Sequence, residues 1–181
     1  MRALCMVAHP DDCVIFGYHF ITNHPHLDWH IAYATYTEDH PRAIEIAAFW
    51  KQRRVTTSFL GLPDDKKETD ARRSGWDEYL AVHLINEAAR NFKLILTHNH
   101  KGEYFHVHHQ MVHNVMREND TAKVYFGSFP DLINRIYTLP EVPFDSSDLP
   151  LHKDVVDGFD LRTWKYFVTP EAEDVLKFTH E

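Results

Sequence analysis

The apolar run Ala3-Leu-Cys-Met-Val-Ala8 stops abruptly at His9-Pro-Asp-Asp12. An apolar run this short and without polar alternation suits a strand covered on both faces, because a strand with one wet face would alternate. The polar turn is followed by Val14, Ile15, Phe16, Tyr18, Phe20 and Ile21, which read as a helix running to the loop at Asn23-His-Pro-His26. Asp11 or Asp12 could cap that helix. A covered strand feeding a helix commits the chain to a layered α/β arrangement.

The alternation continues. Residues 29–36, WHIAYATY, predict a second strand, and Arg42 to Phe59 predict a long helix ending before the Gly/Pro-marked loop Leu60-Gly-Leu-Pro-Asp-Asp65. Ser74 to Asn91 has helical apolar spacing at Trp76, Leu80, Leu84, Ile85 and Ala88, and KLILTH (93–98) follows it as a strand. After a loop at Asn99 to Phe105, a helix is expected over His106 to Arg117 and a strand over 122–127. Strands alternating with helices imply a mostly parallel sheet with helices on both faces. Residues 139–160, with Pro140, Pro143 and Pro150, read as an extended loop or flap.

The 181 residues suit one domain, 1–181, and the proportions of apolar (44%) and charged (25%) residues are those of an ordinary folded protein. A formal charge of −8 gives no broad field for phosphates, so no nucleic-acid or anionic-membrane partner is expected. No apolar run approaches the roughly 18 residues of a membrane span, and the first is too short for a signal-peptide core, so the expected location is cytoplasmic. The sequence does not fix an oligomeric state. Cys5 and Cys13 form neither a CxxC pair nor a disulfide framework and are expected to be reduced.

In an open parallel sheet, ligands bind beyond the carboxyl ends of the strands. Two such ends here carry chemistry: His9-Pro-Asp-Asp12, and the His-rich segment from His98 to His109. Imidazole and carboxylate donors from two strand ends can give zinc three protein ligands and leave a position for water. At a helix start His106 and His109 share a face, whereas His108 is expected to point elsewhere. His9 and Asp12 can converge from one turn, leaving Asp11 free to accept a proton from activated water. Each cluster alone also has an ordinary reading, as a helix cap or a solvated polar loop. The pair favours a metal site. His98 and His100 could be partners that orient the ligating imidazoles, but the preferred reading is solvated loop; His24, His26 and His30 are read as surface, and a His109/His113 pair as compatible with ordinary helix surface. Cys13, beside two acids, lacks the electropositive setting of a reactive thiolate. No GxGxxG or P-loop lysine motif is present.

Ala8-His-Pro-Asp-Asp-Cys13 and His106-Val-His-His109 resemble the AHPDDE and HxxH motifs of the PIG-L/LmbE-like zinc-dependent N-deacetylases. Residues 42–64 also resemble that family's helix beginning R-x-x-E and leading to a Leu-Gly turn, so the likeness covers about the first 115 residues. It implies a Rossmann-like three-layer α/β sandwich and the removal of acetyl from an N-acetylated amino sugar or glycoconjugate. It also implies zinc bound by His9, Asp12 and His109, with Asp11 as general base. His106 would be a charged partner for the intermediate or the leaving amine, Tyr104 an oxyanion donor, and Arg42 a substrate contact. Cys13 stands where the family has glutamate, and His108 where aspartate is common. Other divalent ions such as Fe2+ suit the same donors. A metal-dependent esterase or phosphoesterase and a noncatalytic zinc-binding module of the same fold are the alternatives.

Overall fold

The computed structural model describes residues 1–64, 74–127, 135–159 and 165–177. Its strands are β1 (Arg2–Val7), β2 (Asp28–Thr35), β3 (Thr56–Leu62), β4 (Leu94–Thr97), β5 (Ala122–Gly127), β6 (Arg135–Tyr137) and β7 (Lys165–Val168). They form one seven-stranded sheet in the order β3-β2-β1-β4-β5-β7-β6. The first five in that order are mutually parallel, while β7 runs antiparallel to both β5 and β6. The mostly parallel α/β fold expected from the sequence is the fold observed.

The central strands explain their own composition. Ala3, Cys5 and Val7 face one apolar layer and Leu4 and Met6 the other, with all five fully buried. β1 pairs with β4 in the register Ala3↔Leu94 and Cys5↔Leu96. The first layer is closed by α1 (Asp12–Ile15), α2 (Tyr18–Asn23) and α3 (Pro41–Lys51). The second is closed by α4 (Glu78–Ala88) and, after the single turn α5 (Gly102–Phe105), by α6 (Val107–Arg117). Among the described residues no helix is long and apolar enough to cross a membrane.

Several boundaries differ from the sequence expectation. The helix predicted over 42–59 ends at Lys51, and Thr56–Leu62 is an edge strand parallel to β2. The chain reverses through Arg54 in the left-handed region (φ 61°), and Val55 N–H closes on the Trp50 carbonyl at 3.1 Å. The β-branched pair Thr56-Thr57 then favours extended chain. The first helix is broken into α1 and α2 at Phe16-Gly17. A Cβ on Gly17 would lie 2.8 Å from the Cys13 carbonyl, so the break depends on glycine. Neither aspartate caps α1 through its side chain: Asp11 occupies the N-cap without a cap bond, and Asp12 Oδ2 accepts from the His9 amide at 2.7 Å. The helix expected from Ser74 starts at Glu78, where the Asp77 carboxylate accepts from Leu80 N–H at 3.0 Å.

Residues 139–159 contain a 3-10 turn (Ser146–Asp148) and α7 (Lys153–Val156), and α8 (Pro170–Lys177) follows β7. This segment is docked on the protein and is not an open flap. Tyr18 OH donates to Pro143 O at 2.9 Å, and Val142 N–H donates to His19 Nδ1 at 3.1 Å. Glu45 on α3 accepts from the Leu151 amide at 2.9 Å and pairs with the buried His152 ring at 2.9 Å.

Both cysteines are fully buried. Burial pushes the Cys13 thiol well up, and its Sγ lies 2.7 Å from Tyr33 Oη and accepts from Trp50 Nε1 at 2.9 Å. Both thiols are therefore expected to stay silent toward an aromatic disulfide reagent in the native protein and to react fully in denaturant. Fast labelling of either in native buffer would contradict the packing around β1.

Candidate metal centre

The site lies at the carboxyl ends of β1 and β4. His9 leaves β1, Asp12 opens α1, and His109 lies in the first turn of α6. Three donor atoms meet there. His9 Nδ1, Asp12 Oδ2 and His109 Nε2 lie 3.2 Å apart in every pair. Zinc ligands about 2.0–2.1 Å from a tetrahedral ion lie about 3.3 Å from one another, so this triangle has the size of one face of such a shell. All three residues are buried, with His109 at 0% exposure.

The ring nitrogens facing away from the triangle are also held. Glu103 Oε2 accepts from His109 Nδ1 at 2.7 Å and from His98 Nδ1 at 2.8 Å, while Oε1 accepts from Asn99 N–H at 2.9 Å. A proton on His109 Nδ1 leaves the lone pair of Nε2 for a metal. His98 is fully buried, correcting its reading as solvated loop, and its Nε2 accepts from the Ala8 amide at 3.0 Å. His100 is exposed, as expected. His98 therefore ties β1, β4 and Glu103 together. Glu103 was not singled out from the sequence; it adopts φ 58°, ψ −65°, a strained conformation for a non-glycine residue.

His108 does not point elsewhere. Its Nδ1 lies 3.0 Å from His9 Nε2, and Asp64 Oδ1 lies 3.4 Å from that same nitrogen. His106, at the N-cap, has extended backbone (φ −71°, ψ 125°), so the face rule for residues inside a helix does not govern this first turn. Asp64 follows the end of β3, a third strand end on the same rim.

Charge is arranged around these groups. Burial disfavours a charged His9, but the Asp12 carboxylate and hydrogen bonds to Asp12 and Asp64 outweigh it and raise the imidazole to about 9. Burial likewise opposes ionised Asp12, yet His109 and His9 hold it well below the usual carboxylate range. An entering cation must displace the His9 proton from Nδ1. Burial and the neighbouring Asp12 raise Asp11, with Arg42 and His9 opposing them. Arg42 Nη2 lies 3.4 Å from Asp11 Oδ2, so the structure places this arginine against the adjacent carboxylate.

His106 lies over the triangle, its ring centroid 4.7 Å from that of His9 and 4.6 Å from that of His109. Burial and the imidazoles of His109, His9 and His108 lower it to about 3. The charge expected on His106 is thus disfavoured by its surroundings. Its Nδ1 accepts from the His108 amide at 3.2 Å, leaving Nε2–H as a donor. Tyr104, 49% exposed, stands with its ring centroid 5.3 Å from His109. Burial and the carboxylates of Asp12 and Asp11 raise its phenol, which stays protonated. Cys13 faces away from this centre into the layer with Tyr33 and Trp50. His24 and His113 are buried structural groups and not surface: their Nδ1 atoms bond the Phe20 carbonyl at 2.7 Å and the His98 carbonyl at 2.9 Å. His30, on β2, bonds Thr56 and Ser58 of the edge strand.

No family model and no curated protein matches the chain. Solved structures share its fold. A deacetylase from the biosynthesis pathway of teicoplanin, in a bog complex, is 12% identical over 87% of this chain and 83% of its own, with a TM-score of 0.55. The zinc-inhibited form of teicoplanin deacetylase Orf2 is 12% identical over 86% and 82%, with a TM-score of 0.50. GalB, the 4-carboxy-2-hydroxymuconate hydratase of Pseudomonas putida, is 14% identical with a TM-score of 0.51; the match covers 70% of this chain and spans 65% of that hydratase.

Proposed function

We propose that the chain is a metal-dependent N-deacetylase of the PIG-L/LmbE family, acting on an N-acetylated amino sugar or glycoconjugate. The triangle of His9 Nδ1, Asp12 Oδ2 and His109 Nε2, at 3.2 Å in every pair, carries this reading. The donor set fits zinc, and Fe2+ suits the same atoms. A bound zinc ion would supply Lewis acidity and lower the pKa of water to about 7. Asp11 takes the proton of the attacking water, held in place by Arg42 at 3.4 Å, and returns it to the departing nitrogen. His106 Nε2–H and the Tyr104 phenol are the donors available to the developing oxyanion; one well-aimed donor contributes roughly 3 to 4 kcal/mol. Acetate and a free amine leave. The substrate class rests on the motif resemblance, and deacetylation is supported by the activity named for the teicoplanin-deacetylase structures that share the fold.

The test is acetate release from a panel of N-acetyl sugars by the zinc-reconstituted protein and its metal-stripped form. Release by the loaded form alone is the expected result. Zinc bound without acetate release from any panel member would favour a noncatalytic module, and preferential cleavage of a matched phosphoester would favour a phosphoesterase. One fold can serve several chemistries. Hydration of an unsaturated carboxylic acid without acetate release would move the reading toward the chemistry named for GalB.

His106→Ala should lower kcat about 10²- to 10³-fold while leaving bound metal unchanged, as for loss of one oxyanion donor. Wild-type kinetics in that variant would remove His106 from the chemistry.

A further inference from the structure

The first donor triangle uses only one nitrogen of His9, and the opposite edge of the ring faces a second set of donors. His108 Nδ1 lies 3.0 Å from His9 Nε2 and Asp64 Oδ1 lies 3.4 Å from it. These three residues offer ligand atoms all within 4.8 Å of one another. We propose that His9 Nε2, His108 Nδ1 and Asp64 Oδ1 form a second, outer site for a zinc-class divalent cation, with the His9 ring bridging it to the inner site.

The two outer residues are arranged as ligands in their own right. His108 Nε2 lies 2.6 Å from the Ser74 carbonyl, which can only accept, so the proton is on Nε2 and Nδ1 carries a lone pair. The ring is stacked on Trp76 with centroids 4.2 Å apart and planes 11° apart, which fixes the direction of that lone pair. Asp64 Oδ2 accepts from Tyr36 OH at 2.8 Å, leaving Oδ1 for the cation. Nitrogen and carboxylate donors of this kind suit zinc. A single carboxylate would be enough to orient the His9 proton. The added imidazole lone pair gives the outer edge the composition of the inner one, two histidines and an aspartate.

The proton balance is specific. With the inner ion on His9 Nδ1, the ring keeps a proton on Nε2. Entry of the outer ion breaks that N–H bond, forms a nitrogen–metal bond in its place and releases one proton to buffer, leaving His9 as a bridging imidazolate.

This inference rests on the inner site of the proposed deacetylase, and one experiment separates the two. The full chain, stripped of metal, is dialysed against Zn2+ and its zinc content measured, with proton release followed in weak buffer. The parent is expected to bind two ions, and His108→Ala one. Asp64→Asn, a change at a partly exposed side chain, is also expected to bind one and guards against misfolding of the first variant. Both variants should lose the proton release that accompanies the second ion. One ion in the parent, unchanged in both variants, would overturn the outer site and leave His108 and Asp64 as partners of the His9 proton. No zinc in the folded parent would overturn the inner site and the proposed function with it.

Discussion

Asp11→Asn is expected to lower the turnover of acetate release about 10²- to 10⁴-fold at unchanged zinc content, the range for loss of a general base. The substitution is isosteric, and its amide oxygen can still accept from Arg42, which lies 3.4 Å from Oδ2. No atom of the donor triangle is altered, because Asp11 contributes none of the three. What is lost is the capacity to take a proton. The measurement is kcat at matched metal content, with zinc quantified on the same samples. Turnover within a few fold of the parent would remove Asp11 from the reaction. A parallel loss of zinc would make it a ligand and undo the division of roles between two adjacent carboxylates.

The different placements of Asp11 and Asp12 are readable from the sequence because a turn between a covered strand and a helix gives neighbouring side chains different directions. The apolar runs of β1 and β4 carry no polar alternation, and they are buried on both faces. The same logic placed His9, Asp12 and the His-rich segment on one rim. It failed where the pattern is ambiguous. Val55, Phe59 and Leu60 fit a helix as well as a strand, and the reversal between α3 and β3 is made by Arg54, with neither glycine nor proline to mark it. With β3 read as helix, Asp64 became a loop residue instead of the third strand end on the rim.

The residues that hold the donor triangle in place are the least legible part. His98 stands among polar residues and reads as solvated, yet the Ala8 amide and Glu103 occupy both of its nitrogens. Helical spacing turns His108 outward, but that spacing does not apply where the chain enters α6 from an extended His106. Glu103 is one acid in a short polar loop, and its position depends on a left-handed backbone that no periodicity signals. Spacing identifies residues that repeat on an element; it says little about a single side chain turned inward by an irregular loop.

Glu103 carries the second large effect. In Glu103→Gln, size and shape are kept while one acceptor becomes a donor. Oε2 serves two imidazole N–H groups and Oε1 serves the Asn99 amide, so either orientation of the new amide sets a donor against a donor. Release of His109 Nδ1 from this carboxylate should weaken zinc affinity about 10- to 100-fold. The metal-free protein should also show the loss as a pH effect. Burial alone would raise the Glu103 carboxyl, but His98 and His109 bring it down to about 2 from its ordinary 4.5. A carboxylate depressed on folding stabilises the folded state above its unfolded pKa, and that contribution disappears as pH falls through the folded pKa. The stability gap between parent and Glu103→Gln, measured by urea unfolding, should therefore be widest above pH 4.5 and narrow toward pH 2. A gap independent of pH would mean that the packing of this side chain, and not its charge, holds His98 and His109 in place.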